Sequence, residues 1–476
     1  MNEGRRRGPG SSPDATAATR PGPPPSPRPS PPAGAGGEGE RIPGGEGEGA
    51  SRGAGESASG REGEGASAPA GWLAFSVVAV GTVMATLDGN IVNVALPTLG
   101  LELSAHVDAL QWIVNAYLIA ITATLLVLGR LGDRLGHRAV YSGGLLVFTL
   151  GSALCGAAPG LAELVAARVI QALGASAMMA IGAAILTAAF PPRRRGRALG
   201  ALGTVVAIGL TLGPPIGGLI LSHLSWRWIF YVNLPVGMAG LAWALRILPR
   251  GGGARGPLVD LSIFRIPAFS LGLVAGFLSY AAMFSQTFLT PFLLARVHGL
   301  APGRLGLALA SVPVALSVSS PLAGWIADRF GARLLPALGM LVLAGGLFAL
   351  SLAGAGTPVL SVAARLAVAG VGMGLFQAPN NTTVMNALPR GRLGSGGGLL
   401  ATSRNAGMAA GVALAGTLFA LRAGEDAAGA EFLAGYAIAL RAGAALAVFA
   451  ALVSLVRTRP PGPPLDAGSA SGSMPA

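Results

Sequence analysis

The sequence predicts an all-α integral membrane protein built from two parallel six-helix halves around a central cavity. Three observations predict this fold class. Hydrophobic residues make up 52% of the 476 residues and charged residues only 11%, which is too little charge for the surface of a soluble protein of this length. Apolar runs of roughly 20 residues, each long enough to cross a bilayer, recur along the chain. A loop motif also occurs twice, at equivalent places in the two halves.

The elements follow in order from the N-terminus. Residues 1–70 are predicted to form a disordered cytoplasmic tail, because they contain almost no large apolar side chains. Spans one to six form the N-terminal half, residues 71–249, and spans seven to twelve form the C-terminal half, residues 269–456. Residues 250–268 are predicted as a central cytoplasmic linker and 457–476 as a cytoplasmic tail. The twelve predicted spans are 71–96, 109–128, 139–157, 161–189, 199–222, 228–248, 269–294, 303–323, 334–353, 358–387, 396–421 and 435–456.

The arginines predict the orientation of the chain in the membrane. They concentrate in alternate connections between spans, for example at Arg193, Arg194 and Arg195, whereas acids such as Glu102 and Asp108 gather in the opposite connections. Positively charged connections stay on the cytoplasmic side. We therefore expect a multi-pass protein of the cell membrane with both termini in the cytoplasm, lipid as its surroundings and a monomeric state.

The composition argues against several other classes of protein. The net charge of +13 is distributed between apolar spans and does not form one basic surface, which argues against nucleic acid as a partner. The chain contains no lysine, so it has no P-loop for ATP-driven pumping. Its single cysteine, Cys155, and its four histidines have no ligand spacing. The sequence thus predicts no metal, no cofactor, no catalytic residue and no enzymatic activity.

The duplicated loop motif has the pattern G-x-x-x-D-R-x-G-x-R, beginning at Gly129 and again at Gly324. Its glycines permit close helix approach, and its aspartate can pair with arginines near a helix end. We expect it to act as a cytoplasmic gate. The gate residues are Gly129, Asp133, Arg134, Gly136, Arg138, Asp328 and Arg329.

Two charged residues fall inside predicted spans. Asp88 lies well within span one, where an ionised carboxylate costs about 2.5–3.5 kcal/mol on insertion scales, so it needs a partner, a proton or a water-filled cavity. Arg168 lies in span four with Gln171 three residues on, on the same helical face. Burial of both charges predicts a functional role. Helix packing is the alternative interpretation of each.

The loop motif resembles the signature loop of the major facilitator superfamily. Further segments resemble its drug:proton antiporters of the usually 14-span type, and together they cover essentially everything after residue 70. They are LDGNIVNVALP from Leu87 to Pro97, WRWIFYVNLPVG from Trp226 to Gly237 and FQAPNN from Phe376 to Asn381. The resemblance implies the major-facilitator fold and a proton-coupling role for Asp88, with Arg168 tuning its protonation.

Span five carries glycines at four-residue spacing beside two prolines, a pattern that favours a bent, closely packed helix. It resembles the antiporter motif of the same family, which implies export in preference to uptake. The motif residues are Gly209, Gly213, Pro214, Gly217 and Gly218. Spacing of this kind also serves simple helix packing.

Polar side chains at membrane depth are candidates for the substrate cavity. Each can also serve helix-to-helix hydrogen bonding. The candidates are Gln171, Gln286, Gln377, Asn380, Asn381, Arg404 and Asn405.

The chain departs from the 14-span pattern because no pair of apolar helices lies between its halves, which leaves a 12-span core. We predict a proton-coupled antiporter that exports drugs or small amphipathic natural products by alternating access, with a small amphipathic substrate and protons as its ligands. Two alternatives stay open: uptake of a nutrient, proton-coupled or facilitated, and a membrane sensor or assembly protein that retains the fold without transporting.

Overall fold

A computed structural model describes residues 68–249, 261–330, 334–389, 392–423 and 429–456. Every regular element in these ranges is helical. The predicted tails lie outside them, apart from residues 68–70, and so do residues 250–260 of the predicted linker. The α-helices are α1 Ala68–Glu102, α2 Val107–Leu135, α3 His137–Ala157, α4 Leu161–Ala189, α5 Pro192–His223, α6 Trp228–Tyr231, α7 Asn233–Ile247, α8 Pro267–Phe292, α9 Pro302–Leu309, α10 Ser311–Phe330, α11 Leu335–Ser351, α12 Val359–Asn386, α13 Leu393–Ala423 and α14 Gly429–Val456, with a 3-10 helix Leu261–Arg265 and a π-helical turn Leu293–Val297.

Within the described ranges, eleven helical segments are long and apolar enough to cross a membrane. The twelfth apolar helix, α11, is slightly shorter, at 17 residues. Two of the spans are broken: α6 and α7 together form the sixth, and α9 and α10 form the eighth. Each predicted span coincides with one helix or one such pair, which confirms the all-α fold with a 12-span core.

The helices extend beyond the predicted spans. We expected the segment from Gly129 to Arg138 to connect two spans, but α2 continues to Leu135 and α3 begins at His137. The connection is therefore Gly136 alone. Its φ of +92° lies in a region that L side chains rarely adopt, so a glycine is needed where the chain turns between two helices.

The same packing recurs in the two halves. In the first half, Gly174 of α4 lies against the Gly144 carbonyl of α3, and Gly151 of α3 lies against the Gln171 backbone. In the second half, Gly372 of α12 lies against the Gly339 carbonyl of α11, and Gly346 of α11 lies against the Ala369 backbone. These glycines are too close to neighbouring backbone to carry a Cβ without a shift, so each helix pair meets backbone to backbone.

The two halves meet along two pairs of helices. Gly218 of α5 packs on the carbonyl of Pro302 in α9, and Gly306 of α9 packs on the carbonyl of Pro214 in α5. On the other pair, Gly398 of α13 faces Leu126 of α2. Toward the N-terminal end of α5, Gly203 has open space where a side chain would point. The α5–α9 contact is therefore concentrated near the C-terminal end of α5.

Candidate functional site

Four helices of the first half bring five polar side chains to one buried point. Asp88 comes from α1, Ser152 from α3, Arg168 and Gln171 from α4 and Asn233 from the start of α7. Each of these side chains is buried, with no more than 2% of its surface exposed. The close approach of α3 and α4 at Gly151 and Gly174 sets Ser152 beside Gln171. We call these five residues the Asp88 network.

The Asp88 carboxylate accepts hydrogen bonds at both oxygens. Arg168 donates from Nη1 to Oδ2 at 2.6 Å. Gln171 Nε2 and Asn233 Nδ2 both donate to Oδ1, at 2.8 and 2.9 Å. Ser152 lies behind these amides and accepts from Gln171 at 2.7 Å. A buried carboxylate needs a paired cation and hydrogen-bond donors to its oxygens, and Asp88 has both.

The guanidinium of Arg168 is held on every side. It donates from Nη1 to Gln171 Oε1 at 2.6 Å and from Nε to the Ile113 carbonyl of α2 at 3.3 Å. Its plane also lies over the ring of Tyr117, with the central carbon 3.9 Å from the ring centroid. A cation over an aromatic face is stabilised by the ring quadrupole. Arg168 thus links α4 to α1 and α2.

The hydrogen bonds of the Asp88 network have a chemical consequence. The three groups that contact the Asp88 oxygens are all N–H donors, and a protonated carboxyl has to donate a hydrogen bond of its own. No acceptor is placed for that proton among these contacts. A proton on Asp88 would therefore lack an acceptor in this arrangement, which favours a rearrangement of the network when a proton binds.

The second half does not repeat the Asp88 network. Alignment of the two halves on the matching glycines of α3–α4 and α11–α12 gives the equivalent positions. Leu347 corresponds to Ser152, Leu366 to Arg168 and Ala369 to Gln171. Gly213 packs near the Leu87 carbonyl as Gly411 packs on the Ala281 carbonyl, so the counterpart of Asp88 is Ala282. All four counterparts are apolar and 0% exposed. Charged chemistry at this position therefore belongs to the first half alone.

The gate residues lie at the junction of α2 and α3 and at the end of α10. Asp133 lies 3.6 Å from His137 Nε2, and Arg138 donates to the Leu245 carbonyl at the end of α7. Gly132 packs on Ile181 of α4. Gly129 faces Ala180 of α4 at the distance of an ordinary contact. The first copy of the motif thus joins α2 and α3 to α4 and α7.

The rest of the predicted gate is less connected. Arg134 is exposed in the last turn of α2. In the second copy, Arg329 lies near the face of Trp325, 5.8 Å from the ring centroid. The Asp328 side chain lies outside the described part of the chain. The assignment of a gate to both copies stays a prediction.

The predicted antiporter motif lines the contact between α5 and α1. Gly209 faces Thr86, Gly213 faces Asn90 and Gly217 faces Ile91, so the glycines follow α1 past the turn that carries Asp88. Pro214 and Gly218 belong instead to the contact with α9 described above. One helix therefore contacts both the Asp88 helix and the opposite half.

Substitution of Gly213 by valine is expected to disturb this contact. A Cβ at Gly213 would lie 2.8 Å from the Asn90 Cβ, closer than side-chain carbons pack, so α1 and α5 must separate. Overpacking of this kind costs about 1–3 kcal/mol. Gly203→Val is the matched control, because Gly203 lies on the same helix with open space around it. We expect Gly213→Val, but not Gly203→Val, to lower the thermal unfolding midpoint of the purified protein and its transport; equal effects would contradict the assignment.

The predicted cavity residues fall into three groups. Gln377, Asn380, Asn381 and Arg404 line one cavity of about 110 Å³ between α8, α12 and α13. Gln286 lines a second, of about 50 Å³, between the halves, together with Asn90 and Asn93 of α1.

Two of the seven line neither cavity. Gln171 is bound within the Asp88 network, because it lies on the buried face that α4 presents to α3. Asn405 is 3% exposed and donates to the Ala401 carbonyl of its own helix at 2.9 Å. Their assignment to the substrate cavity stays a prediction.

The sequence reasoning missed three participants. Asn233 was part of a quoted motif without an assigned role, although an asparagine at the start of an apolar helix is an available signal. Ser152 and Tyr117 carried no signal, because serine and tyrosine are common in membrane helices and only the packing brings Ser152 to Gln171 and Tyr117 to Arg168. Within the described ranges, no three His, Cys, Asp or Glu side chains come together as ligands for a metal ion.

Two known proteins resemble this chain in sequence over most of its length. The chain is 31% identical over 402 residues to a riboflavin transporter, RibZ, of Clostridioides difficile, covering 73% of this chain and 88% of the relative. It is 28% identical over 413 residues to the tetracenomycin C resistance and export protein of Streptomyces glaucescens, covering 74% and 77% of the two chains.

A solved structure and a family model also match this chain. The inward-facing, unoccupied crystal structure of a bacterial homologue of the human lysosomal transporter Spinster superposes with a TM-score of 0.67 at 19% identity, covering 82% of this chain and 97% of that one. This likeness shows the fold. The family model described as Major Facilitator Superfamily matches residues 78–412 and again residues 272–472. The first match spans more than half of the sequence, and the chain therefore belongs to the Major Facilitator Superfamily, a family of multi-pass membrane transporters.

Proposed function

We propose that the chain is a proton-coupled antiporter that exports drugs or small amphipathic natural products across the cell membrane. The observation that carries this proposal is the fully buried Asp88–Arg168 pair, whose closest atoms lie 2.6 Å apart. Ionisable groups at membrane depth are costly and mark ion or substrate pathways. Asp88 is the proton site in this proposal, and Arg168 is its electrostatic partner.

The Asp88 network supports coupling between protonation and helix movement. Its hydrogen bonds join α1, α3, α4 and α7 directly, and Arg168 adds α2 through the Ile113 carbonyl. Because a proton on Asp88 would lack an acceptor in this arrangement, protonation favours a rearrangement of the bonds that hold α1 to α4 and α7. Alternating access needs such a link between ligand state and helix arrangement.

Export is supported by the glycine motif of α5 and by relatives. The motif resembles that of antiporters, and one relative is named as a resistance and export protein. The cytoplasmic position of both termini and the monomeric state stay predictions. In this proposal the exporter takes its substrate from the cytoplasm and returns a proton.

Asp88→Asn tests the proposal. The amide is similar in size and cannot exchange a proton, so we expect substrate-driven proton movement to fall to the level of protein-free vesicles. The measurement is pH-dye fluorescence in proteoliposomes after addition of ethidium, tetracenomycin C or riboflavin. Glu163→Gln, which neutralises an exposed acid in the first turn of α4, is the matched control and should behave as wild type. Wild-type proton movement by a correctly folded Asp88→Asn variant contradicts the proposal.

Riboflavin transport is a second candidate, favoured by the 31% identity to a riboflavin transporter. Radiolabelled riboflavin counterflow in the same proteoliposomes separates the candidates. Exchange of riboflavin that is unaffected by a pH gradient and by Asp88→Asn supports facilitated nutrient transport. Exchange that requires the gradient supports antiport, with riboflavin as one substrate.

A further inference from the structure

The cavity between α8, α12 and α13 is lined by one cation and several polar groups. Its polar lining consists of Tyr280 on α8, Gln377, Asn380 and Asn381 on α12 and Arg404 on α13. Phe376 and Leu400 contribute apolar surface. The volume of about 110 Å³ exceeds what a single water requires and suits a small charged group with part of an attached ring.

The polar groups of this cavity point to an acceptor as the missing partner. Gln377 Nε2 donates to the Tyr280 hydroxyl at 2.7 Å, and the Arg404 guanidinium lies beside the same hydroxyl. Both neighbours present N–H donors to the Tyr280 oxygen, so the proton of the hydroxyl itself is left for a further acceptor. Arg404 Nε is buried and has no hydrogen-bond partner. Two donors therefore remain to be satisfied at one cavity.

Arg404 also has no counter-ion in the cavity, since no aspartate or glutamate belongs to the lining. The residue lies about 16 Å along α13 from Leu393, at 1.5 Å per residue, which places it deep in the membrane. Arginine at such depth is costly unless paired. The contrast with Arg168 is direct: that guanidinium has Asp88 at 2.6 Å.

We propose that this cavity binds the anionic group of the transported substrate, a carboxylate or a phenolate, between Arg404 and Tyr280. The proposal deepens the proposed function, because it names the substrate class that the exporter would accept. A carboxylate supplies the acceptors that Arg404 Nε and the Tyr280 hydroxyl lack, and Phe376 and Leu400 offer an apolar surface to the ring of an amphipathic acid. The anion site then lies in the second half and the proton site in the first.

Binding of matched probes tests this assignment. We would measure the affinity of 2-naphthoate and of its neutral analogue 2-naphthamide for the full chain in phosphatidylcholine nanodiscs by calorimetry. A hydrogen bond to a charged group contributes more than a neutral one, so we expect naphthoate to bind about tenfold or more tightly than the amide. Arg404→Gln should abolish that preference, Arg404→Lys should keep part of it, and Tyr280→Phe should weaken naphthoate binding severalfold.

The matched control is Arg365→Gln, because Arg365 is a second arginine of the same half that donates to the Ala349 carbonyl and does not line the cavity. It should retain the preference for naphthoate. If Arg404→Gln does not fold, Arg404→Lys and Tyr280→Phe carry the test. An unchanged ratio of naphthoate to naphthamide affinity in the Arg404 and Tyr280 variants, or equal wild-type affinity for both probes, overturns the proposal.

Two further arms separate this inference from other outcomes. Displacement of naphthoate when anionic phosphatidylglycerol is added to the nanodiscs would show that a lipid headgroup occupies the cavity, which overturns the substrate assignment. Asp88→Asn should leave the naphthoate preference intact, because Asp88 does not line the cavity. If the wild type shows no preference for naphthoate but exchanges protons in an Asp88-dependent way, only the anion site is contradicted. A preserved preference without proton exchange supports the anion site and defeats the proposed antiport.

Discussion

Arg168→Leu is expected to be the most damaging single change at the Asp88 network. The variant leaves the Asp88 carboxylate buried without its cation and removes the bonds to Gln171 and the Ile113 carbonyl. Removing one partner of a buried ion pair costs about 3–5 kcal/mol, because an uncompensated charge stays behind. We expect low yield, a thermal unfolding midpoint in detergent well below that of the wild type and no transport.

The second half supplies the matched control for this experiment. Its own helices carry Ala282, Leu366 and Ala369 where the first half carries Asp88, Arg168 and Gln171. The triple variant Asp88→Ala, Arg168→Leu, Gln171→Ala copies this apolar set, and replacing a buried ion pair by packed apolar groups is often neutral or stabilising. We therefore expect the triple variant to be more stable than Arg168→Leu alone and to lack proton exchange. A triple variant no more stable than the single one would contradict the ion-pair account.

The fold was predictable because its signals are local. The length and polarity of each apolar run depend on the bilayer and not on the neighbouring helices, so twelve spans could be counted from composition. The ends of the helices were less predictable, since helices continue into water as long as their hydrogen bonds are satisfied. Thus α2 extends through Asp133 and Arg134 to Leu135, where the apolar signal has already ended.

The site was predictable only in part. The residues that could be identified are those whose burial in a membrane costs the most free energy. Asp88 and Arg168 stood out because an ionised group in an apolar span is expensive in any structure. Gln171 was found by its spacing from Arg168, but its bond to Asp88 depends on how α4 faces α1. Burying an uncharged asparagine or serine in a membrane helix costs little free energy, so nothing in the sequence distinguished Asn233 and Ser152 from packing residues. Only the meeting of four helices identifies them.

Gly174→Val is the second change with a large expected effect, and it tests how the Asp88 network is held. A Cβ at Gly174 would overlap the backbone of α3 at Phe148 and lie 2.6 Å from the Gly144 carbonyl oxygen. Backbone cannot yield as the end of a flexible side chain can, so α3 and α4 must separate. Separation moves Ser152 away from Gln171 and removes donors from Asp88. Overpacking costs about 1–3 kcal/mol, and the loosened network adds to that.

Gly143→Val is the matched control, because Gly143 lies on α3 one residue from the contact with nothing within 4 Å of its would-be side chain. Both substitutions bring the same change in intrinsic helix propensity, so that contribution cancels. We expect Gly174→Val to lose most folded protein in size-exclusion chromatography and most proton exchange in proteoliposomes, while Gly143→Val keeps both. If Gly174→Val instead folds normally and exchanges protons at the wild-type rate, then the close contact of α3 with α4 is not what positions Gln171 against Asp88.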